Sequence, residues 1–166
     1  LSEAGAAKVA ATTSSSFAVD LGKWLSISDG YVAGKAAYHA TIPTDTITHN
    51  LGAMRETRER GWEATRAAQL ELGTRVRSAL ASRGFAAVAE GEYAAPGVVV
   101  VHTVDPELRS GARLKSAGLQ VAAGVPLQCG EGESFSTFRL GLFGLDKLAD
   151  IDGTVQRLEA ALDTLA

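Results

Sequence analysis

Several things are scarce in this sequence, and each scarcity closes a door. One cysteine, Cys129, stands alone among 166 residues, so no internal disulfide can form and no zinc site can rest on paired cysteines. An unpaired thiol fits a reducing compartment, and a cytoplasmic location is the expectation. Excess charge of one sign is missing too: 16 Lys and Arg face 19 Asp and Glu, interleaved along the chain with a net charge of −3. That leaves no basic stripe for nucleic acid and no polybasic segment for an anionic membrane. No apolar run approaches the ~20 residues needed to span a bilayer. The chain opens on Leu1, without the charged and apolar regions of a signal peptide, and reads as a piece of something longer. No internal repeat or low-complexity linker is present. What remains is enough chain for a real core without staples, with a small molecule or another protein as partner.

The informative stretch runs from Gly118 to Gly144, GLQVAAGVPLQCGEGESFSTFRLGLFG. Phe138, Leu140 and Leu142 alternate with Arg139, Gly141 and Phe143, so a strand would bury the first three and turn Arg139 to the other face. An arginine flanked by apolar residues and glycine is costly to desolvate unless an anion meets its fork of donors. Two partners satisfy that demand. One is a carboxylate of the chain itself, Glu131 or Glu133. The other is a small-molecule carboxylate or phosphate, for which Gly141 and Gly144 leave bare backbone just beyond Arg139.

The rest of the chain reads as α+β, a mainly antiparallel sheet covered by helices. Residues 1–16, LSEAGAAKVAATTSSS, lack apolar periodicity and predict a loop or strand end. Phe17, Leu21, Trp24, Leu25 and Ser28 predict an amphipathic helix, with serines 14–16 as caps and Gly30 or Gly34 as its stop. Pro43 interrupts helical structure, and Tyr38, His39 and Thr41 fall in a polar loop before it; Thr44 or Asp45 would cap the helix that follows. Two helices, or one bent at Gly61, come next: Ile47, Leu51 and Met54 mark the first, and Trp62, Thr65, Gln69, Leu72, Val76 and Leu80 the second. Glu71 and Arg75 are spaced for an i,i+4 pair, and Gly84 closes the helix. Strands are predicted over Phe85–Ala89 and in Gly97–Val104. A helix starts at Asp105-Pro106 and ends at Gly118, two strands flank the AAGVPLQ loop, and Asp150 caps a last helix of stripe Ile151, Val155, Leu158, Leu162 and Leu165.

The segment AAGVPLQCGEGESFSTFRLGLFGLDKL, with AYHATIPTDT upstream, resembles the C-terminal region of class V aminotransferases, the pyridoxal-phosphate enzymes that include alanine–glyoxylate and serine–pyruvate aminotransferases. The likeness covers nearly the whole chain from about Thr12. It implies the tail of the large cofactor-binding domain and phosphate loop over residues 1–43, connecting helices over 44–84, and the small C-terminal domain of a fold type I transferase over 85–166. It further implies that Arg139 grips the substrate α-carboxylate, and that Tyr38 and Thr41, with His39 as a weaker candidate, bind the phosphate of pyridoxal 5'-phosphate held mainly by the other subunit of a homodimer. Some charges of the first connecting helix would lie near that dimer interface.

Transamination also needs a lysine that anchors the cofactor and an acid facing its pyridine nitrogen, and the resemblance puts both upstream of TTSSSF. Lys8, Lys23, Lys35, Lys115 and Lys147 match no such motif, Lys147 being expected on the surface. The expectation is therefore the C-terminal part of a transaminase acting on a small amino acid, of alanine or serine type, and a 2-oxo acid such as glyoxylate or pyruvate. It would be inactive without its N-terminal large domain. The alternatives are another class V enzyme or a non-catalytic α+β module that binds a small anion at Arg139.

Overall fold

The computed structural model describes residues 1–89 and 91–165, and the chain divides into two compact units, Leu1–Gly52 and Ala53–Ala166. The first unit opens on a helix where a loop or strand end was expected. α1 (Glu3–Ala10) is capped by Ser2, whose hydroxyl accepts from the Gly5 amide at 3.2 Å, and it carries Glu3 in its first turn and Lys8 in its last. Alanine's helix preference and charges that complement the helix dipole decide this segment, although none of its residues is buried. α2 (Leu21–Val32) is capped by Asp20, which accepts from the Lys23 amide at 3.0 Å, and not by the serines. Ser14 and Ser16 instead bond within their own turn, and Phe17 lies before the helix. Gly34, at φ +70°, ends α2 at one of the two glycines expected to stop it.

α3 (Thr44–Arg60) and α4 (Trp62–Ala81) are separated by Gly61, whose φ of +93° breaks the helix where the sequence suggested. Ile47, Leu51 and Met54 of α3 are exposed, whereas Leu72, Val76 and Leu80 of α4 are buried, so α4 is part of the core of the second unit. Gly84 (φ +81°) closes that region, and the Phe85 amide folds back onto the Leu80 carbonyl at 3.1 Å.

The second unit is α+β. β1 (Val98–His102), β2 (Ala122–Ala123) and β3 (Thr137–Gly141) form an antiparallel sheet in the order β1-β3-β2, with β3 in the middle. The predicted strand at Phe85–Ala89 is reduced to one bridge, Ala87 to Val101, supported by hydrogen bonds from the Val88 amide to Val100 and from the His102 amide to Ala86. The single helix expected after Asp105 is two, α5 (Pro106–Ser110) and α6 (Ala112–Ser116), because Gly111 at φ +80° takes a left-handed conformation between them. Asp105 caps α5 as expected, accepting from the Glu107 amide at 2.7 Å. A short helix that the sequence reading did not separate, α7 (Leu145–Ala149), precedes α8 (Ile151–Asp163), which Asp150 caps through the Gly153 amide at 2.9 Å.

Val99, Val101, Phe138 and Leu140 point from the sheet into a core completed by Leu72, Val76 and Leu80 of α4 and by Val155, Leu158 and Leu162 of α8. Burying a side chain of this size contributes about 1.5–3 kcal/mol, so each of these contacts is a large share of a marginally stable fold. Among the described residues, no helix is long and apolar enough to cross a membrane.

Candidate functional site

Arg139 sits on the central strand between Val100 of β1 and Ala122 of β2. Because its neighbours Phe138 and Leu140 are buried in the core, Arg139 emerges on the opposite face, half-buried, as the period-two pattern requires. Its Nε donates to the Ala123 carbonyl at 3.2 Å, which ties the base of the guanidinium to the edge strand. Among the described residues no carboxylate pairs with it. Gly141, two residues on and on the same face, would meet only the Phe143 ring, at 3.9 Å, if it bore a Cβ, so the space beside Arg139 is open.

Glu131, one of the two carboxylates that could have served Arg139, is engaged elsewhere. Its Oε1 accepts from the backbone amides of Leu127 and Gln128, and its Oε2 accepts from Cys129 at 2.8 Å. Backbone donors, its own amide first and then those of Cys129 and Gln128, stabilise the ionised form, and the carboxyl falls to about 2. Gln128 takes a left-handed φ of +60° within this turn. The Cys129 thiol, hydrogen-bonded to that carboxylate, is pushed up from its ordinary value.

Thr137 shares Arg139's face of β3, two residues earlier. It is 1% exposed, and its hydroxyl has no partner among the described residues. It lines a cavity of about 280 Å³ together with Gly124, Pro126, Phe135, Arg109 and Glu133. A Cβ on Gly124 would run into the Thr137 backbone, so the two segments pass at a separation that only glycine permits. Sequence reading did not single out Thr137 or Arg109. For Thr137 the signal was present, since a hydroxyl two residues before a strand arginine must lie on the same face.

The loop at 35–43 belongs to the first unit. Tyr38 Oη and Thr41 Oγ1 lie 3.3 Å apart, with Tyr38 76% exposed, so two hydroxyls are presented side by side to solvent. His39 supports the loop: its Nε2 lies 3.0 Å from the Phe17 carbonyl, which accepts only, so Nε2 carries the proton. Its ring packs at 4.5 Å from Phe17 and edge-on at 5.3 Å from Trp24. Trp24 in turn donates from Nε1 to the Ala18 carbonyl at 2.9 Å. Adjacent exposed hydroxyls free to turn their protons outward suit the oxygens of a phosphate. Among the described residues, no group of three His, Cys, Asp or Glu side chains is placed to hold a metal ion. Lys147 lies at the surface beside Asp146, 3.5 Å away.

No protein-family model matches the chain, and no curated protein matches it either.

Proposed function

We propose that this chain is the C-terminal part of a pyridoxal-phosphate-dependent transaminase, that it acts as a homodimer, and that Arg139 binds the α-carboxylate shared by amino donor and 2-oxo acid. The observation that carries this reading is the guanidinium of Arg139. It stands on the open face of a central strand, held among the described residues through Nε alone, with neither expected glutamate paired to it. A planar fork with its outer nitrogens available matches a carboxylate in two parallel hydrogen bonds. Tyr38 and Thr41 support the reading from the other unit, as a pair of hydroxyls that would hold the cofactor phosphate of a neighbouring subunit.

The division of labour follows from these groups. When bound, pyridoxal phosphate supplies an electron sink for the pair released as the α-proton leaves. This chain's residues hold and orient: Arg139 fixes the substrate's carboxylate end, Tyr38 and Thr41 steady the phosphate end, and His39, locked between Phe17 and Trp24, keeps the phosphate loop in shape. The lysine that anchors the cofactor and moves the proton lies in the preceding large domain.

The test is Arg139→Lys and Arg139→Ala in the complete enzyme, with kcat/KM and Tm measured on each. Removing one partner of a desolvated charge pair costs on the order of 2–5 kcal/mol, so Ala should lose that much transition-state stabilisation for every amino and oxo acid, with Lys in between. A protein that melts early yet keeps normal kcat/KM per folded molecule would mean that Arg139 only stabilises the sheet.

A further inference from the structure

A second hollow opens at the end of the same sheet, where Gly141 lines it beside the core residues Leu140 and Leu142. A cavity of about 230 Å³ lies between residues 119–121, the end of β3, α7 and α8. Its floor is apolar and comes from buried core residues: Val76 of α4, Leu140 and Leu142 at the end of β3, and Leu158 of α8. Its rim is charged, with Lys147, Arg157 and Asp146.

We infer that this cavity binds a short aliphatic carboxylate, tail on the leucine and valine floor and head between Lys147 and Arg157. Three observations point there. The volume falls below the roughly 300 Å³ at which pockets for drug-sized ligands begin, so the occupant is small. Leucine and valine make up most of the uncharged lining, with Gln120 and Thr154 as its polar members, so the part that enters is mainly hydrocarbon. The rim holds two cations against one carboxylate, so the part that stays at the mouth is an anion.

Both cations are available to it. Lys147 Nζ lies 3.5 Å from Asp146 and Arg157 Nη1 lies 3.9 Å from Asp150, long contacts between side chains 35% to 76% exposed. Pairs of that kind contribute little. Arg157 Nη2 donates to Thr154 Oγ1 at 3.0 Å, and Thr154 itself lines the cavity, so the guanidinium is laid along its wall. Asp146 opposes an anion and sets a limit on affinity. The inference does not rest on the transaminase reading, because Arg139 leaves the sheet on the other face from Leu140.

The test is titration of the full chain with hexanoate, hexylammonium and acetate, followed by NMR. Hexanoate should shift Leu140, Leu158 and Lys147 resonances saturably. Hexylammonium and acetate should bind at least about tenfold more weakly, the first for its charge and the second for its missing tail. Lys147→Gln with Arg157→Gln should weaken hexanoate by about the same factor. Thr154→Leu, which fills the cavity from a half-buried helical position, should abolish binding with Tm retained, and Arg139→Gln should leave it unchanged. The proposal is overturned if hexanoate does not saturate, if hexylammonium binds as well, if the double glutamine variant binds normally, or if Arg139→Gln removes the binding. That last result would move the carboxylate to the opposite face and leave the reading of Arg139 standing.

Discussion

The Pro96 carbonyl oxygen lies 2.7 Å from the point where a Cβ on Gly73 would stand. One turn earlier on α4, Gln69 donates from Nε2 to that same oxygen at 3.0 Å and to the Leu142 carbonyl at 3.3 Å. Gln69 and Gly73 thus seat the turn before β1 directly on the helix, and this contact sets how closely α4 approaches the sheet.

A glycine in a helix ordinarily weakens it, and Gly→Ala then stabilises by about 0.5–1 kcal/mol. Gly73 should reverse the sign. The obstructing atoms are backbone and cannot rotate away, so Gly73→Ala should destabilise by about 1–3 kcal/mol, as overpacking does. Gly52 of α3, with nothing within 4 Å of its added Cβ, is the matched control and should show the ordinary gain. Urea midpoints of the two variants decide it: a neutral or stabilising Gly73→Ala would mean that the Pro96 turn does not sit on α4.

Glu131 should make stability depend on pH in acid. Its folded value of about 2 lies below the ordinary 4.5, so its stabilising contribution is complete above about 4.5 and is lost as pH falls toward 2. Glu131→Gln should flatten the stability profile across that window. The same substitution removes the cause that holds the Cys129 thiol up, so alkylation of Cys129 by iodoacetamide near pH 8 should speed up. Unchanged alkylation would show that Glu131 does not face the thiol.

Thr137 carries a buried hydroxyl with no partner among the described residues, a state that disfavours folding. Thr137→Val keeps the shape and removes the hydroxyl, and it should stabilise by up to about 1 kcal/mol, while Thr137→Ser should not. A Val variant that melts earlier than the parent would mean that the hydroxyl finds a partner in the cavity beside it.

Where local chemistry decides structure, the sequence was legible. The alternation around Arg139, the caps at Asp105 and Asp150, and the breaks at Gly61 and Gly84 all depend on a few adjacent residues. α1 was missed because alanine propensity carries no periodic mark, and the split at Gly111 because a glycine inside a helical pattern does not announce its φ. Long-range choices were not legible. Glu71 does reach Arg75, at 3.4 Å, but Arg75 sits closer to Asp152, at 2.6 Å, a residue 77 positions away. In the candidate site, the face of Arg139 could be read from the sequence. That Glu131 would be captured by its own loop's amides, leaving Arg139 without it, depends on how residues 124–136 fold.

Tyr38 and Thr41 offer a test in the complete enzyme of the phosphate role proposed for them. Their hydroxyls lie 3.3 Å apart, within hydrogen-bonding distance of one another, and both can swing toward one phosphate. Tyr38→Phe and Thr41→Val should each speed loss of pyridoxal phosphate on dialysis, with little change in the KM of amino acids. The double variant should depart from additivity by about 0.5–3 kcal/mol, as groups in one hydrogen-bonded network do. If the pair serves the neighbouring subunit's cofactor, mixing Tyr38→Phe chains with chains lacking the anchoring lysine should restore one sound site per heterodimer. Heterodimers that form but regain no activity would place the two hydroxyls on their own subunit's cofactor. His39→Asn separates support of the loop from contact with phosphate: it removes the ring packed against Phe17 and Trp24, so it should loosen the loop and lower cofactor retention only through that motion, which proteolysis of the loop would report.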